Sequence, residues 1–508
     1  MFQFLSSSSQ SRRTMIFSLV GVLISIGISL LTYLTPIGPV LVVVSVLAVL
    51  FVIFLFRDPS VGLIALFIYC FTFGILTREV GGIAYGIGVE VLLLLTWISV
   101  IIQNKRYDWK LLNNALVKLT LVWFIISVME VANPAGASVM GWLQEIRSTA
   151  LLPMLLIPLV FLLFDSEKKM NMGLILLLAL SLFATLNGLK QQHIGLSPGE
   201  QRFLADGGAE THLLWGKLRV FSFYSDSGQF GASQASFVLI AAALFIGPFK
   251  SWKRALAFMA AALSFYGMLI SGTRGALFTL IVGGFFILGL AKDFKLVFAG
   301  GILIVLFVAF LKFTTIGNSN YEIFRLRSAV NPKEASLNVR FKNQRTLARY
   351  LKDYPFGGGL GTIGKWGKEH NKGKFLSTIE PDSYWVKVWA MYGIVGMTLW
   401  FSMVMYLLGI CSGIIWKLKD QRLRYKGIAM IAAASGLFFC SYGNEVMNSM
   451  PSSIVYSVCL TFIFLCRKFD GEHFVHGPEN NTSMDDNIQL NNKQPMDLVI
   501  LKKEDHAI

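Results

Sequence analysis

Apolar and polar positions fall in long blocks along this chain, not at the short periods of soluble helices or strands. Fourteen apolar runs approach or exceed the length that crosses a bilayer as a helix, about 20 residues. They lie at 14–34, 38–56, 60–77, 86–103, 115–131, 148–164, 173–189, 230–247, 254–270, 275–291, 296–312, 384–410, 427–443 and 451–466. Eleven precede and three follow one polar stretch, Thr314 to Ser383, the longest outside the chain ends. A shorter one runs from Gln191 to Gln229. Within the long stretch, the spacing predicts a helix from Leu337 to Asp353, with Leu337, Phe341, Ala348 and Leu351 on one face and Lys342, Arg345, Arg349 and Lys352 on another. Pro355 and the run Gly357-Gly358-Gly359-Leu360-Gly361 end it. The glycines allow either close backbone approach to a ligand or a flexible turn.

The expected fold is therefore all-α: a polytopic integral membrane protein of about 12–14 transmembrane helices, with a long, partly helical external loop. One transmembrane domain covers 1–466, including loops 191–229 and 314–383. Residues 467–508, rich in Asn, Asp and Lys, form an expected disordered cytoplasmic tail. Composition agrees, with 55% hydrophobic residues and a mean hydropathy of +0.61. The net charge of +16 belongs to membrane-flanking clusters rather than to nucleic acid. Those clusters (Arg12-Arg13, Lys105-Arg106, Lys168-Lys169, Lys250 to Arg254, Lys292 to Lys295 and Lys417 to Lys426) all fall on one side of the span count. That side is the cytoplasm, and it holds both termini. The first apolar run lacks a small-residue cleavage site and reads as a retained span. The five cysteines sit in or beside spans with no CxxC, so neither a disulfide frame nor a zinc site is indicated.

The long loop is thus external yet basic, with twelve Lys and Arg against six acids. The orientation rule is weak for loops this long, and the excess points to an anionic partner. Arg274, in the hairpin Ser271-Gly272-Thr273-Arg274-Gly275-Ala276, stands at a membrane edge where charge is costly without a partner. Arg219 leads into the run at 230–247, where Asp226 or Ser227 is placed to cap the helix. Guanidinium binds phosphate oxygens through two parallel bonds, so Arg219, Arg274, Arg345 and Arg349 are candidate diphosphate ligands. Glu90, Glu130, Glu145 and Glu445 lie near outer span ends as possible proton acceptors or Arg partners, Glu145 for Arg147 among them. His370, the single histidine of the long loop, is a further candidate base. The outer loops carry no clustered carboxylates of the kind a divalent metal wants, so metal-free chemistry without a cofactor is expected.

At these residues the chain resembles the O-antigen ligase and O-antigen polymerase family of bacterial membrane proteins. The resemblance runs from about Leu218 to Leu408. It rests on Arg219 ahead of an aromatic stretch, the Ser-Gly-Thr-Arg-Gly-Ala hairpin, the segment Arg340 to Gly361, and Asp382-Ser383-Tyr384-Trp385 through Gly396. The hairpin is its most specific part. It implies a membrane glycosyltransferase-type enzyme at the periplasmic face of the bacterial inner membrane, working in surface polysaccharide biosynthesis. The implied donor is an undecaprenyl-diphosphate-linked glycan, attacked at its anomeric carbon by a hydroxyl of a glycan or lipid A-core acceptor, with membrane lipids around the site. Many members of the family carry His where this chain has Asp382. Three readings of the base stay open: Asp382 itself, His370 from the loop, or none. The rival reading, a polysaccharide or lipid-linked oligosaccharide transporter, needs charged or broken helices at mid-membrane; Lys118, Pro153 and Pro158 are its candidates.

Cysteine-accessibility labelling checks the orientation. A membrane-impermeant maleimide is expected to label Lys365→Cys from outside intact cells and Asp420→Cys only after permeabilisation. Labelling of both from the same side contradicts it.

Overall fold

The computed structural model describes residues 38–476 except 82–84, 137, 330–334 and 382, together with positions 18, 22, 25 and 29. The expected span at 14–34, apart from those isolated positions, and residues 477–508 lie outside the described set. Ten described helices are long and apolar enough to cross a membrane, and three more are apolar but shorter. In chain order they are α1 (Gly38–Arg57), α2 (Ser60–Glu79), α3 (Gly86–Ile102), α4 (Ala115–Met129), α5 (Val139–Leu163), α6 (Glu167–His193), α7 (Ser227–Ile246), α8 (Ser251–Ile270), α9 (Gly275–Leu290) and α10 (Phe294–Phe313). The long loop adds α11 (Tyr321–Ser328), α12 (Ala335–Leu351) and α13 (Gly364–His370). The bundle then closes with α14 (Tyr384–Lys417), α15 (Gln421–Cys440) and α16 (Ser452–His476). The chain is an all-α, multi-pass membrane protein. Its described β-structure is one two-residue hairpin, Leu213–Leu214 against Lys217–Leu218.

Small side chains decide which helices sit at the centre. The run from Gly427 to Gly436 on α15 holds four alanines and a serine, and 89% of the apolar window of α15 is buried, against 6% for α10. Lipid tails are as apolar as leucine, so helices associate in a bilayer where small residues let backbones come close. A Cβ at Gly283 of α9 would lie 2.2 Å from Leu239 Cδ1 of α7 and 2.7 Å from the Ala432 carbonyl of α15. One at Gly436 would meet Thr279 Cγ2 at 2.7 Å. Helices α7, α9 and α15 therefore form a close-packed core.

Two helices depart from regular geometry. Residues Arg147–Leu151 of α5 form a π-helical turn, a wider turn that often marks functional positions. Helix α14 breaks at Gly393, whose φ of +66° and ψ of −169° suit glycine alone. The glycine run of the long loop docks onto that break. Gly358 and Gly359 donate to the carbonyls of Ala390 and Met391 at 2.9 and 3.0 Å, and Val395 donates to Pro355 at 3.2 Å. The glycines approach protein backbone closely, so they act neither as a ligand cradle nor as a loose turn. Lys118 proves to be exposed in the first turn of α4, at a helix end and not at mid-span. Helix α16 continues past residue 466 to His476.

One ion cluster joins the ends of three segments. Lys387 of α14 lies 3.1 Å from both Glu145 of α5 and Glu445 of the turn Ser441–Met450, which links α15 to α16. The Lys387 side chain is 9% exposed and that of Glu145 is 1%. Glu145 also accepts from Thr149 Oγ1 at 3.1 Å, and Glu445 from Asn448 Nδ2 at 3.3 Å. The sequence suggested Arg147 as the partner of Glu145. The structure instead pairs Arg147 with Glu90 at 2.7 Å, because side chains two apart on a helix do not face each other. Removing the shared cation leaves two carboxylates facing each other with little water. Lys387→Met is expected to cost about 3–5 kcal/mol, whereas replacing all three charges with apolar residues costs less or nothing. Thermal unfolding of the detergent-solubilised variants measures both, and a Lys387→Met protein as stable as the wild type contradicts the assignment.

Candidate active site

The hairpin between α8 and α9 is built to hold its shape. Ser271 Oγ donates to the Met268 carbonyl at 2.6 Å and accepts from the Thr273 amide at 3.2 Å. Thr273 Oγ1 donates to the Ser227 carbonyl at 2.7 Å, tying the hairpin to the first turn of α7. Gly272 takes a φ of +59°, which turns the chain back without strain. Asp226 caps α7 through the Gln229 amide at 2.9 Å, as the sequence allowed.

Three arginines gather on this hairpin. Arg219 donates to the Ser271 carbonyl at 3.3 Å, to Thr273 Oγ1 at 3.4 Å and to the Thr211 carbonyl at 2.9 Å. Arg325, from α11 of the long loop, donates to the Gly272 carbonyl at 3.2 Å, and its guanidinium lies 5.7 Å from the Trp215 ring centre. Arg274 belongs to the hairpin itself. Burial, helped by the charges of Arg325 and Arg274 and opposed by Tyr321 and Asp226, pulls the Arg219 pKa down to about 10. Arg219 is still a cation at neutral pH. Three like charges this close raise one another's energy, and an anion among them relieves it.

The turn Ser441–Met450 is the other wall. A Cβ at Gly275 would meet Asn444 Nδ2 at 2.7 Å, and one at Gly443 would lie 3.8 Å from Arg340 Nη1 of α12. Gln229 of α7 donates to the Glu445 and Val446 carbonyls and accepts from Ser452 Oγ at 3.0 Å. The Tyr384 amide donates to the Ser441 carbonyl at 2.9 Å, so the start of α14 docks on the same turn. Glu445 is 28% exposed at its side chain, and burial raises its pKa while Lys387 opposes the rise. The turn therefore separates a cationic side, with Arg219, Arg274, Arg325 and Arg340, from an acidic side, with Glu445 and Glu145 about Lys387.

The remaining candidates are placed as follows. Arg345 and Arg349 are exposed on α12. Arg345 lines an open cleft with Phe341, Gln344, Ala348 and Trp389. The inward face of α12 keeps Leu351 as expected and adds Leu347, while Phe341 and Ala348 of the expected face are exposed. His370 ends α13, stacked on Trp366 with centroids 5.9 Å apart, beside Glu369 at 3.7 Å and close to Gly141 of α5. Asp382 lies outside the described residues; its neighbour Ser383 caps α14 and bonds to the Ser441 carbonyl. His212 is buried, pairs with the Gly208 carbonyl at 2.9 Å and accepts from the Ser227 amide at 3.2 Å. Burial lowers its pKa, which fixes it as a neutral brace under α7. Arg325 and Arg340 were not singled out by the sequence; a single α11 turn and one step round α12 bring them in. Among the described residues, no group of three or more His, Cys, Asp or Glu is placed to hold a metal ion.

The O-antigen ligase family matches residues 259–401, from α8 through the hairpin and the long loop into α14. That segment carries Arg274, Arg325, Arg340 and Lys387, while Arg219, Glu145 and Glu445 join it from outside. No curated protein matches the chain. Residues 259–401 thus resemble an O-antigen ligase domain, which supports a glycan-transferring, ligase-like role for this multi-pass membrane protein.

Proposed function

We propose that the protein transfers a glycan from an undecaprenyl-diphosphate carrier to an acceptor hydroxyl, at the periplasmic face of the bacterial cytoplasmic membrane. The observation that carries this reading is the convergence of Arg219, Arg274 and Arg325 on one braced hairpin inside the ligase-like segment. A diphosphate set there gains several charge-assisted bonds at once. As the anomeric carbon–oxygen bond breaks, charge collects on the departing lipid diphosphate, and fixed guanidinium groups stabilise it most where it develops. The acceptor oxygen forms the new bond to the anomeric carbon and loses its proton to a base. Glu445 and Asp382 are the proposed carboxylates, since Glu445 and the start of α14 meet at the Ser441–Met450 turn. His370, across the loop beside Trp366, is the second choice. Arg345, with Trp389 and Phe341 in an open cleft, suits the sugars of the glycan better than its diphosphate. The acceptor, a second lipid-linked glycan for a polymerase or a lipid A core for a ligase, is read from the products.

Glycan transfer from a lipid-linked donor tests the arginines. Arg274→Ala is expected to remove about 3 kcal/mol or more of transition-state stabilisation, roughly a hundredfold in rate. Arg274→Lys keeps the charge but loses the fork, and is expected to be damaging as well. A lost ladder of chain lengths on gels marks a polymerase; lost lipid-A-linked glycan with accumulated lipid-linked polymer marks a ligase. Near-normal transfer by Arg274→Ala at normal protein level places the site elsewhere. Because arginines take the neutralising role, transfer in purified membranes is expected to survive chelation; loss with EDTA and rescue by magnesium or manganese contradicts the metal-free mechanism.

A further inference from the structure

Across the Ser441–Met450 turn from the arginines, α4, α5, α14 and α16 enclose a crevice of about 100 Å³. Its depth is apolar, with Leu119 and Trp123 of α4, Leu152 of α5, and Met403 and Leu407 of α14. Its rim is polar, with Thr149, Tyr384, Asn448, Ser453 and Tyr456. Three of these present buried atoms with no hydrogen-bond partner: Asn448 Oδ1, Ser453 Oγ and Tyr456 Oη. Ser453 and Tyr456 are only 6% and 7% exposed. Glu145 Oε2, behind Thr149, is likewise buried without a partner. Polar atoms buried this way are costly, and several around one opening point to a ligand that completes their bonds. The π turn Arg147–Leu151 is a second, independent sign, because it carries Ser148 and Thr149 on the crevice wall.

The chemistry of the rim selects the occupant. Asn448 Oδ1 and Glu145 Oε2 only accept, and the hydroxyls of Ser453 and Tyr456 can turn either way. The adjoining Glu145–Lys387–Glu445 cluster carries two negative charges and one positive. An anionic head is repelled here, while an uncharged head with hydroxyl or amide donors is favoured. The narrow apolar depth suits one hydrocarbon chain. We propose that this crevice anchors one chain of a lipid-linked acceptor, with a hydroxyl- or amide-bearing neck at the rim, while the donor diphosphate occupies the arginine side. This rests on the transfer reading above and adds that the acceptor is held in the membrane through its own lipid.

The test uses the full chain in phosphatidylglycerol vesicles and two wedges on opposite walls, Ser453→Phe and Leu119→Trp. A monoacylglycerol with a photoreactive group in its chain is the binding probe. It is expected to label α4 or α14 peptides of the wild type, and each wedge is expected to abolish that label. In the transfer assay, each wedge is expected to raise KM for a lipid-anchored acceptor about tenfold, one decade of affinity, with kcat and the donor KM unchanged. The same acceptor glycan stripped of its lipid is expected to react equally with wedge and wild type. No photolabel in the wild type, or an unchanged KM in both wedges, overturns the proposal. A raised donor KM also overturns it, because the crevice then holds the carrier tail. Photolabelling does not depend on catalysis: if the wild type transfers no glycan, the transfer reading fails while the crevice is still judged by its label. Arg274→Ala is expected to lose transfer to both acceptors and keep the label.

Discussion

A single lysine shared by two carboxylates sets the arrangement of one end of the bundle. Desolvating Lys387 is affordable only with Glu145 and Glu445 both in place, and each carboxylate in turn needs the lysine. The three residues come from segments far apart in sequence, so satisfying them fixes α5, α14 and the α15–α16 turn together. Everything placed around that turn inherits the constraint. Asn444 reaches the hairpin, Gln229 holds the turn to α7, and the amide of Tyr384 locks the start of α14 against it. A buried ion cluster is weak support for stability as such; its use here is to specify one geometry.

That geometry puts opposite charge on the two sides of one short turn. Cations on one side suit a leaving diphosphate, and carboxylates on the other suit a hydroxyl about to lose its proton. The proposed transfer would need two such half-sites facing one scissile bond, held with little freedom. The braced hairpin supplies rigidity on the cationic side through Ser271 and Thr273, and the ion cluster supplies it on the acidic side. The long loop contributes Arg325 and Arg340 to the cationic side, each attached to its own helix.

The bundle was largely legible in the sequence because span length, the hairpin glycine and the cap at Asp226 are local signals. The loop helix at Ala335–Leu351 was legible for the same reason, two residues from its expected start. Its inward face was only partly so, because the partners that bury Leu347 lie elsewhere in the chain. Arg219 and Arg274 could be found from the cost of charge beside a membrane. Arg325 looked like any loop cation, and Lys387 like a residue at a helix start, since each acquires its meaning only from a contact more than fifty positions away. The pairing of Arg147 with Glu90 instead of Glu145 shows the same limit, for its partner lies 57 positions away on another helix.

The docking of the glycine run onto the break at Gly393 ties the mechanics of the loop to those of a membrane helix. A Cβ at Gly393 would lie 2.0 Å from the Pro355 carbonyl, and one at Gly357 would lie 2.4 Å from the Gly393 amide, so neither strand of this contact tolerates an ordinary side chain. Loop and helix are zipped backbone to backbone and shift as one lever. Any tilt of α14 within the bilayer is thereby transmitted to the extramembrane segment. Membrane thickness and lateral pressure, acting on α14, thus become inputs to the shape of the loop docked on it.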